Sequence, residues 1–154
     1  MESETPYPFM FCYCSICRKT SGGPFGCNIM GRRETLRVTG SKHLKCHHAV
    51  VRRKGKRPVR SEGERWFCAE CGSHLYVLDD RWPGGVWPNA GAIDTALPAP
   101  PSRVHLMVRH KPAWVPIAGP GPRFPEYPDL SIAEWHERRG LTAKGDRAHP
   151  RRKR

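Results

Sequence analysis

Residues 64–78, ERWFCAECGSHLYVL, contain two short apolar runs on either side of a paired cysteine motif. The runs from Glu64 to Cys68 and from His74 to Leu78 predict two short β-strands. Between them, Cys68-x-x-Cys71 has the spacing at which a tight turn directs two thiolates to one tetrahedral metal ion. Gly72 supplies the permissive backbone that such a turn needs. The stretch therefore predicts a strand, a zinc knuckle and a second strand.

Further short strands are predicted on both sides of this stretch. The 154 residues include 16 prolines and 15 glycines scattered along the chain, which favours many short elements joined by turns. Alternating apolar residues predict strands over residues 35–40, 48–53 and 103–110. The basic run at residues 52–60 is predicted to be an exposed hairpin tip, and the proline-rich stretches 82–88 and 97–102 to be irregular. The expected fold class is mainly β, built from short antiparallel strands.

One helix is predicted near the end of the chain. Ser131 and Glu134 have the spacing of a capping box, an apolar stripe follows, and Gly140 is a stop signal. Residues 129–139 are therefore expected to form a short C-terminal helix packed on the sheet.

Charge is the second feature of the end of the chain. Residues 138–154 contain eight basic residues and one acidic residue without apolar periodicity, a pattern typical of a disordered, solvated arm. We divide the chain into a folded domain over residues 1–120, an extension with the short helix over 121–140 and a basic disordered tail over 141–154.

The overall balance of charge and hydropathy limits the classes of protein. The net charge is +13, concentrated in the hairpin tip and the tail, and would permit weak, salt-sensitive attachment to nucleic acid. No apolar stretch approaches the ~20 residues of a membrane span, and the first ten residues lack the apolar run of a signal peptide. We expect a soluble, cytoplasmic protein without a membrane partner, in which the seven cysteines are metal ligands or reactive thiols rather than disulfides.

A second cysteine cluster, which we call the triad, lies near the start of the chain and consists of Cys12, Cys14 and Cys17. Two arrangements are open. Cys14 and Cys17 could join the knuckle cysteines in one closed structural zinc site. Alternatively, the triad could hold its own metal ion and leave the fourth position free for water or substrate, as catalytic zinc sites do. In that case the adjacent Arg18 and Lys19 could offset the negative charge of the site.

The remaining candidate ligands have weaker signals. Cys27 and Cys46 are isolated in the sequence and are expected to be small buried hydrophobic residues. Three histidines lie close to Cys46 without the spacing of a metal site; they are His43, His47 and His48.

Taken together, these motifs resemble the family of glutathione-dependent formaldehyde-activating enzymes and centromere protein V. The resemblance runs from about Pro8 to Ile117. The segments that carry it are CYCSICRKTSGG from Cys12, VTGSKHLK from Val38, RWFCAECGSHLY from Arg65, AGAIDT from Ala90 and VHLMVRHKPAWV from Val104.

The resemblance implies a β-tent-like domain that carries two zinc ions. The triad corresponds to the ligands of a catalytic zinc, and Cys68 and Cys71 to half of a structural site. Family members complete the structural site with an upstream C-x-C-G pair, and no cysteine is present in the eleven residues before Cys12. The sequence is therefore expected to lack this segment and to be less stable than the full domain, because a structural zinc contributes folding free energy on the order of 10 kcal/mol.

The activity implied by the resemblance is that of a zinc-dependent carbon–sulfur lyase or synthase acting on adducts of glutathione and an aldehyde. The zinc would favour the thiolate, which would attack the carbonyl carbon to give an S-hydroxymethyl adduct. Arg18 and Lys19 are candidates for binding the glutathione carboxylates, and Asp94 and His105 for proton transfer. The alternatives are a non-catalytic zinc module that binds nucleic acid through the hairpin tip and the tail, and an inactive, shortened family member.

Overall fold

A computed structural model describes residues 1–97, 99 and 102–142 of the chain. Its elements are β1 (Tyr7–Cys12), α1 (Ser15–Ser21), β2 (Gly26–Arg32), β3 (Leu44–Val51), β4 (Val59–Cys68), β5 (His74–Leu78), β6 (Gly85–Pro88), β7 (Val104–Leu106) and α2 (Ile132–Glu137). The strands form one sheet in the order β3-β4-β5-β6-β2-β1-β7. Neighbouring strands are antiparallel except for the parallel pair β1 and β7. The mainly β fold class is confirmed.

The predicted strand, knuckle and strand are present as β4, a tight turn and β5. The backbone N–H of Cys68 donates to the Ser73 carbonyl at 2.9 Å, and that of Gly72 donates to the Cys68 carbonyl at 2.9 Å. Gly72 has a φ of +74°, the left-handed conformation that glycine adopts without strain. The predicted hairpin is also present, because β3 pairs with β4 and residues 52–58 form an exposed tip.

Two predictions about local structure are wrong. Residues 35–40 do not form a strand. Thr35 is the last residue of a 3₁₀ turn over Arg33–Thr35, and the one bridge of the segment joins Arg37 to Glu2. The stretch 82–88 is not irregular, because β6 lies in the interior of the sheet order. A strand is possible there because Pro88 is its last residue, where the missing N–H does not interrupt the ladder.

The predicted strand over residues 103–110 is shorter than expected. It ends at Leu106 because Met107 has a φ of +57°, and a 3₁₀ turn follows over Val108–His110. Alternation of apolar residues does not leave a solvent-exposed face here, since Val104, His105 and Leu106 are all buried.

The helices partly match the prediction. The capping box of Ser131 and Glu134 is confirmed, and it starts α2, which is shorter than the expected range of 129–139. Helix α1 was not expected; it begins after Cys14 and ends at Gly22, which has a φ of +66°. The division of the chain at residues 120 and 140 stays a prediction, and the tail from residue 143 lies outside the described residues.

The core covers both sides of the β1 and β7 pair. One cluster contains Phe11, Tyr13 and Val115. The other contains Val104, Leu106 and Trp135, so α2 packs on the sheet as expected. Because successive side chains of a strand point to opposite faces, Cys12 lies on the face opposite to Phe11.

Candidate metal centre

The three triad cysteines come together at the junction of β1 and α1. Cys12 is the last residue of β1, Cys14 is the N-cap residue of α1, and Cys17 lies in the first turn of the helix. Their sulfur atoms all lie within 4.8 Å of one another, and no other group of three metal-ligating side chains is this close in the described part of the chain. The arrangement results from local structure, because the N-cap and the first helical turn direct Cys14 and Cys17 back toward the strand end.

The donor set and its spacing fit a metal ion. Three sulfurs that each lie about 2.3 Å from a tetrahedral zinc are about 3.8 Å apart, which small side-chain rotations can reach from the separations present here. Three protein ligands leave one coordination position of a tetrahedral ion open. The triad could therefore hold a metal ion with an open position.

Hydrogen bonds among the three thiols favour one negative charge in the cluster and place it on Cys14. The thiols of Cys12 and Cys17 both bond to Cys14, and the backbone N–H of Cys17 donates to its sulfur at 3.3 Å. These bonds lower the pKa of Cys14 to about 2.

The other two thiols are held in the protonated form. The bonds of Cys12 to Cys14 and Cys17, together with burial, raise the pKa of Cys12 well above its usual range. For Cys17, its bond to Cys12 lowers the pKa, but its bond to Cys14 and burial outweigh this effect and raise the pKa to about 11. A metal ion must displace protons from Cys12 and Cys17 to bind.

Close packing against β2 fixes the position of Cys17. Gly26 pairs with Cys12 in the sheet, and a Cβ atom on Gly26 would lie 2.8 Å from the Cβ of Cys17. A real Cβ contact is never this short, so any larger residue at position 26 would push α1 away from the strand. The requirement for glycine here is not visible in the sequence, because it depends on how α1 crosses β2.

A buried cation lies near the triad on β4. Arg65 is 9% exposed, and its positive charge acts on Cys17 in the direction that favours the thiolate. Its Nη1 donates to the Gly63 carbonyl at 3.2 Å, while its Nε has no partner among the described residues. Arg65 therefore adds positive charge close to a cluster that becomes anionic when it binds a metal ion, a role that the sequence had suggested for Arg18 and Lys19.

His74 lies near Arg65 and is kept neutral. Both of its ring nitrogens are buried without a hydrogen-bond partner in the described residues. Burial, followed by the charge of Arg65, lowers the pKa of His74 to about 4. Because the His74 imidazole is uncharged, no second positive charge is buried next to the Arg65 guanidinium.

Arg18 and Lys19 both lie on α1. The Nε of Arg18 donates to the Tyr13 carbonyl at 3.3 Å, and its side chain is half-buried. Lys19 is exposed to solvent. Their predicted role in binding glutathione stays a prediction.

The knuckle cysteines lie apart from the triad. Cys71 is exposed, and its Sγ lies 3.2 Å from the Ser73 hydroxyl oxygen; hydrogen bonding from Ser73 to this sulfur lowers the pKa of Cys71. The closed site formed by the knuckle with Cys14 and Cys17 is not present, since the triad is the one group of three ligands that the described residues bring together. The described part of the chain thus provides two cysteines at the knuckle, fewer than a zinc ion requires.

The isolated cysteines differ from each other. Cys27 packs against the Phe11 cluster, and burial raises its pKa to about 12, so it behaves as a small hydrophobic residue. Cys46 is exposed on β3, contrary to the expectation that it is buried. Two of the three nearby histidines have other partners: His43 binds Glu70 at 2.5 Å, and His48 lies 3.0 Å from the Ser61 carbonyl.

The two candidates for proton transfer have contrasting environments. His105 is completely buried, and its Nδ1 lies 3.1 Å from the Tyr13 hydroxyl, which accepts from the Ala118 N–H at 3.1 Å. Its ring contacts Phe11 and Tyr13 on the face opposite to Cys12. Asp94 is exposed. Burial lowers the pKa of His105, so its contacts are those of a neutral residue of the core.

Fold and site together define a mainly β protein with three clustered thiols that could hold a metal ion. The model of the family "Glutathione-dependent formaldehyde-activating enzyme" matches residues 1–109. A Halomonas elongata protein, provisionally named a glutathione-dependent formaldehyde-activating enzyme, is 50% identical over 142 residues, which are 90% of this chain and 87% of that protein. The chain belongs to the glutathione-dependent formaldehyde-activating enzyme family.

The chain also has a slight likeness to a solved structure. A crystal structure of a Rhodobacter sphaeroides protein covers 68% of this chain and 87% of its own, with 22% identity and a TM-score of 0.49. This likeness is too slight to bear on fold or function.

Proposed function

We propose that the protein catalyses the addition of the glutathione thiol to formaldehyde, and the reverse cleavage of the same carbon–sulfur bond, with a zinc ion held by the triad. One observation carries the proposal: three sulfur atoms lie within 4.8 Å of one another at a strand end. Membership of the family and the 50% identical relative support glutathione and formaldehyde as the reactants.

The reaction requires a thiolate and an electrophilic carbonyl carbon in contact. A zinc ion, when bound, supplies a position that lowers the pKa of a thiol and so provides thiolate near neutral pH. The sulfur then forms a bond to the carbonyl carbon, and the π electron pair of the carbonyl moves to its oxygen. That oxygen takes up the proton that the thiol released, so the product is S-hydroxymethylglutathione and no oxidant or reductant is needed.

The residues of the chain hold and balance the reacting groups. The triad provides three sulfur atoms that would bind the zinc ion as thiolates, and Arg65 provides a buried positive charge that acts on Cys17. Arg18 and Lys19, on α1, are proposed to bind the glutathione carboxylates. Holding two reactants in contact replaces a bimolecular encounter and can contribute several kcal/mol to the lowering of the barrier.

The charge of the hairpin tip does not lead to a second proposal. Residues 52–58 are exposed and basic, but neither the family match nor the relative supports binding to nucleic acid. No helix among the described residues is long and apolar enough to cross a membrane.

Exchange spectroscopy by NMR can test the proposed function. Glutathione and formaldehyde also combine without a catalyst, so the exchange rate between free glutathione and its adduct must be compared with and without the zinc-loaded protein. We expect the protein to increase this rate, and the Cys17→Ser variant to reduce it to the uncatalysed value because one of three ligands is lost.

Cys46→Ser is the matched control, because Cys46 is exposed and lies outside the triad. This variant should exchange glutathione at the rate of the unmodified protein. A zinc-loaded protein that leaves the exchange rate at its uncatalysed value would overturn the proposed function.

A further inference from the structure

A segment beyond the family match runs along the edge of the sheet beside β7. We call residues 121–126 the strap. His105 donates its backbone N–H to the Pro122 carbonyl at 2.9 Å and accepts from the Phe124 N–H at 2.8 Å. The strap starts at Gly121, where a Cβ atom would lie 1.8 Å from the Arg103 carbonyl oxygen, so only glycine permits this approach. These contacts fix the position of the strap along β7.

The strap ends at the edge of the sheet where the triad lies. It runs parallel to β7, which in turn runs parallel to β1, and Cys12 pairs with Leu106 at the ends of those two strands. At the end of the strap, Glu126 accepts from the Met107 N–H at 3.0 Å, and its carboxylate binds Arg109 at 3.0 Å and His110 at 3.2 Å. The next residue, Tyr127, is thereby placed at the triad edge.

The side chain of Tyr127 is available to a ligand. The residue is 62% exposed to solvent. The phenol is close enough to the three triad cysteines and to Arg81 to interact with them electrostatically. A phenol keeps its proton near neutral pH, because its ordinary pKa is about 10, and it can therefore donate that proton in a hydrogen bond.

Arg81 interacts electrostatically with Tyr127 but has other partners of its own. Its guanidinium forms ion pairs with Asp79 at 2.6 Å and with Glu62 at 3.0 Å, and it lies over the Trp82 ring at 4.7 Å. Arg81 is thus already paired with two carboxylates, whereas Tyr127 is an uncharged donor.

We propose that the Tyr127 hydroxyl donates a hydrogen bond to the aldehyde oxygen while a thiol adds to the carbonyl carbon next to the triad. This inference rests on the proposed function and names the residue that recognises the oxygen of the adduct. As the carbon–sulfur bond forms, the carbonyl electron pair moves to the oxygen, and a fixed donor stabilises the developing negative charge. Tyr127 keeps its own proton; the oxygen takes up the proton that the thiol released.

The Tyr127→Phe variant tests the proposal because it removes only the hydroxyl. Loss of a donor to a developing oxyanion lowers the rate constant by on the order of 100-fold, so we expect a loss of this size in kcat with a small change in the KM for glutathione. Zinc content and melting temperature should be unchanged, because an exposed ring is not part of the core. The control is Trp114→Phe, which alters a residue that is 71% exposed and has no role in the site.

A binding measurement provides a second readout that does not depend on turnover. S-(2-hydroxyethyl)glutathione and S-propylglutathione have the same shape, but only the first carries an oxygen for Tyr127. The unmodified protein should bind the hydroxyl compound more tightly by about tenfold, the size expected for one hydrogen bond, and Tyr127→Phe should remove this preference.

The outcomes separate the two proposals. If the unmodified protein is active but Tyr127→Phe keeps both its kcat and its preference for the hydroxyl compound, the role of Tyr127 is wrong and the proposed function stands. If the unmodified protein neither accelerates exchange nor binds either compound, the proposed function is wrong, and the role of Tyr127 is wrong with it.

Discussion

At the scale of single residues, the unequal acidity of the three thiols determines how the site takes up a metal ion. Cys14 is a thiolate near neutral pH because hydrogen bonds from two thiols and from the backbone point to its sulfur. Cys12 and Cys17 remain protonated. The sequence predicts the three ligands from their spacing, but it does not distinguish Cys14, because its role as N-cap depends on the helix that follows.

This difference predicts how metal affinity changes with pH. Each proton displaced on binding makes the affinity rise about tenfold per pH unit. Two protons are displaced here, because the pKa of Cys14 is about 2 while that of Cys17 is about 11 and that of Cys12 is also raised. We expect the zinc affinity to rise about 100-fold per unit between about pH 6 and 8, measured by competition with a chelator of known protonation. A 1,000-fold rise per unit, estimated for about three displaced protons, would contradict the assignment of the thiolate to Cys14.

At the scale of elements, the contact between α1 and β2 determines the geometry of the site. Gly26→Ala should weaken zinc binding by ~10–100-fold, the range for residues that orient metal ligands, because its Cβ would lie 2.8 Å from that of Cys17. Gly23→Ala is the matched control, since its Cβ would make an ordinary contact at 3.7 Å. Equal affinities of the two variants, measured by the same competition, would show that α1 can shift without loss of the site.

The elements that the sequence predicts best are those whose signals are local. The strands β4 and β5 follow from alternation on each side of the knuckle, and α2 follows from its capping box. Helix α1 is missed because its N-cap is a cysteine, outside the usual set of Ser, Thr, Asp and Asn. Strand β6 is missed because Pro83 and Pro88 in the stretch 82–88 suggest a loop, although the neighbouring strands β5 and β2 complete the ladder.

At the scale of the whole molecule, the parts of the site come from distant positions in the chain. The triad lies at the end of β1, Arg65 on β4, and Tyr127 after the strap, so only the folded sheet brings them together. Sequence spacing predicts the triad, whose members are close in the chain. It cannot predict Arg65 or Tyr127, because their position depends on the strand order and on the pairing of the strap with β7.

The sheet and α1 are joined through the triad, so metal binding should stabilise the whole molecule. We expect one tightly held zinc ion per chain, because the described residues bring together one group of three ligands. A metal ion at about 1,000 times its dissociation constant adds about 4 kcal/mol to the free energy of unfolding. For a chain of this size, a chelator should therefore lower the melting temperature by about 8–16 °C.

Cys68→Ser should keep both the zinc ion and this shift, whereas Cys17→Ser should lose both. Two zinc ions per chain, one of them lost in Cys68→Ser, would show that the knuckle binds metal with ligands other than those identified at the triad.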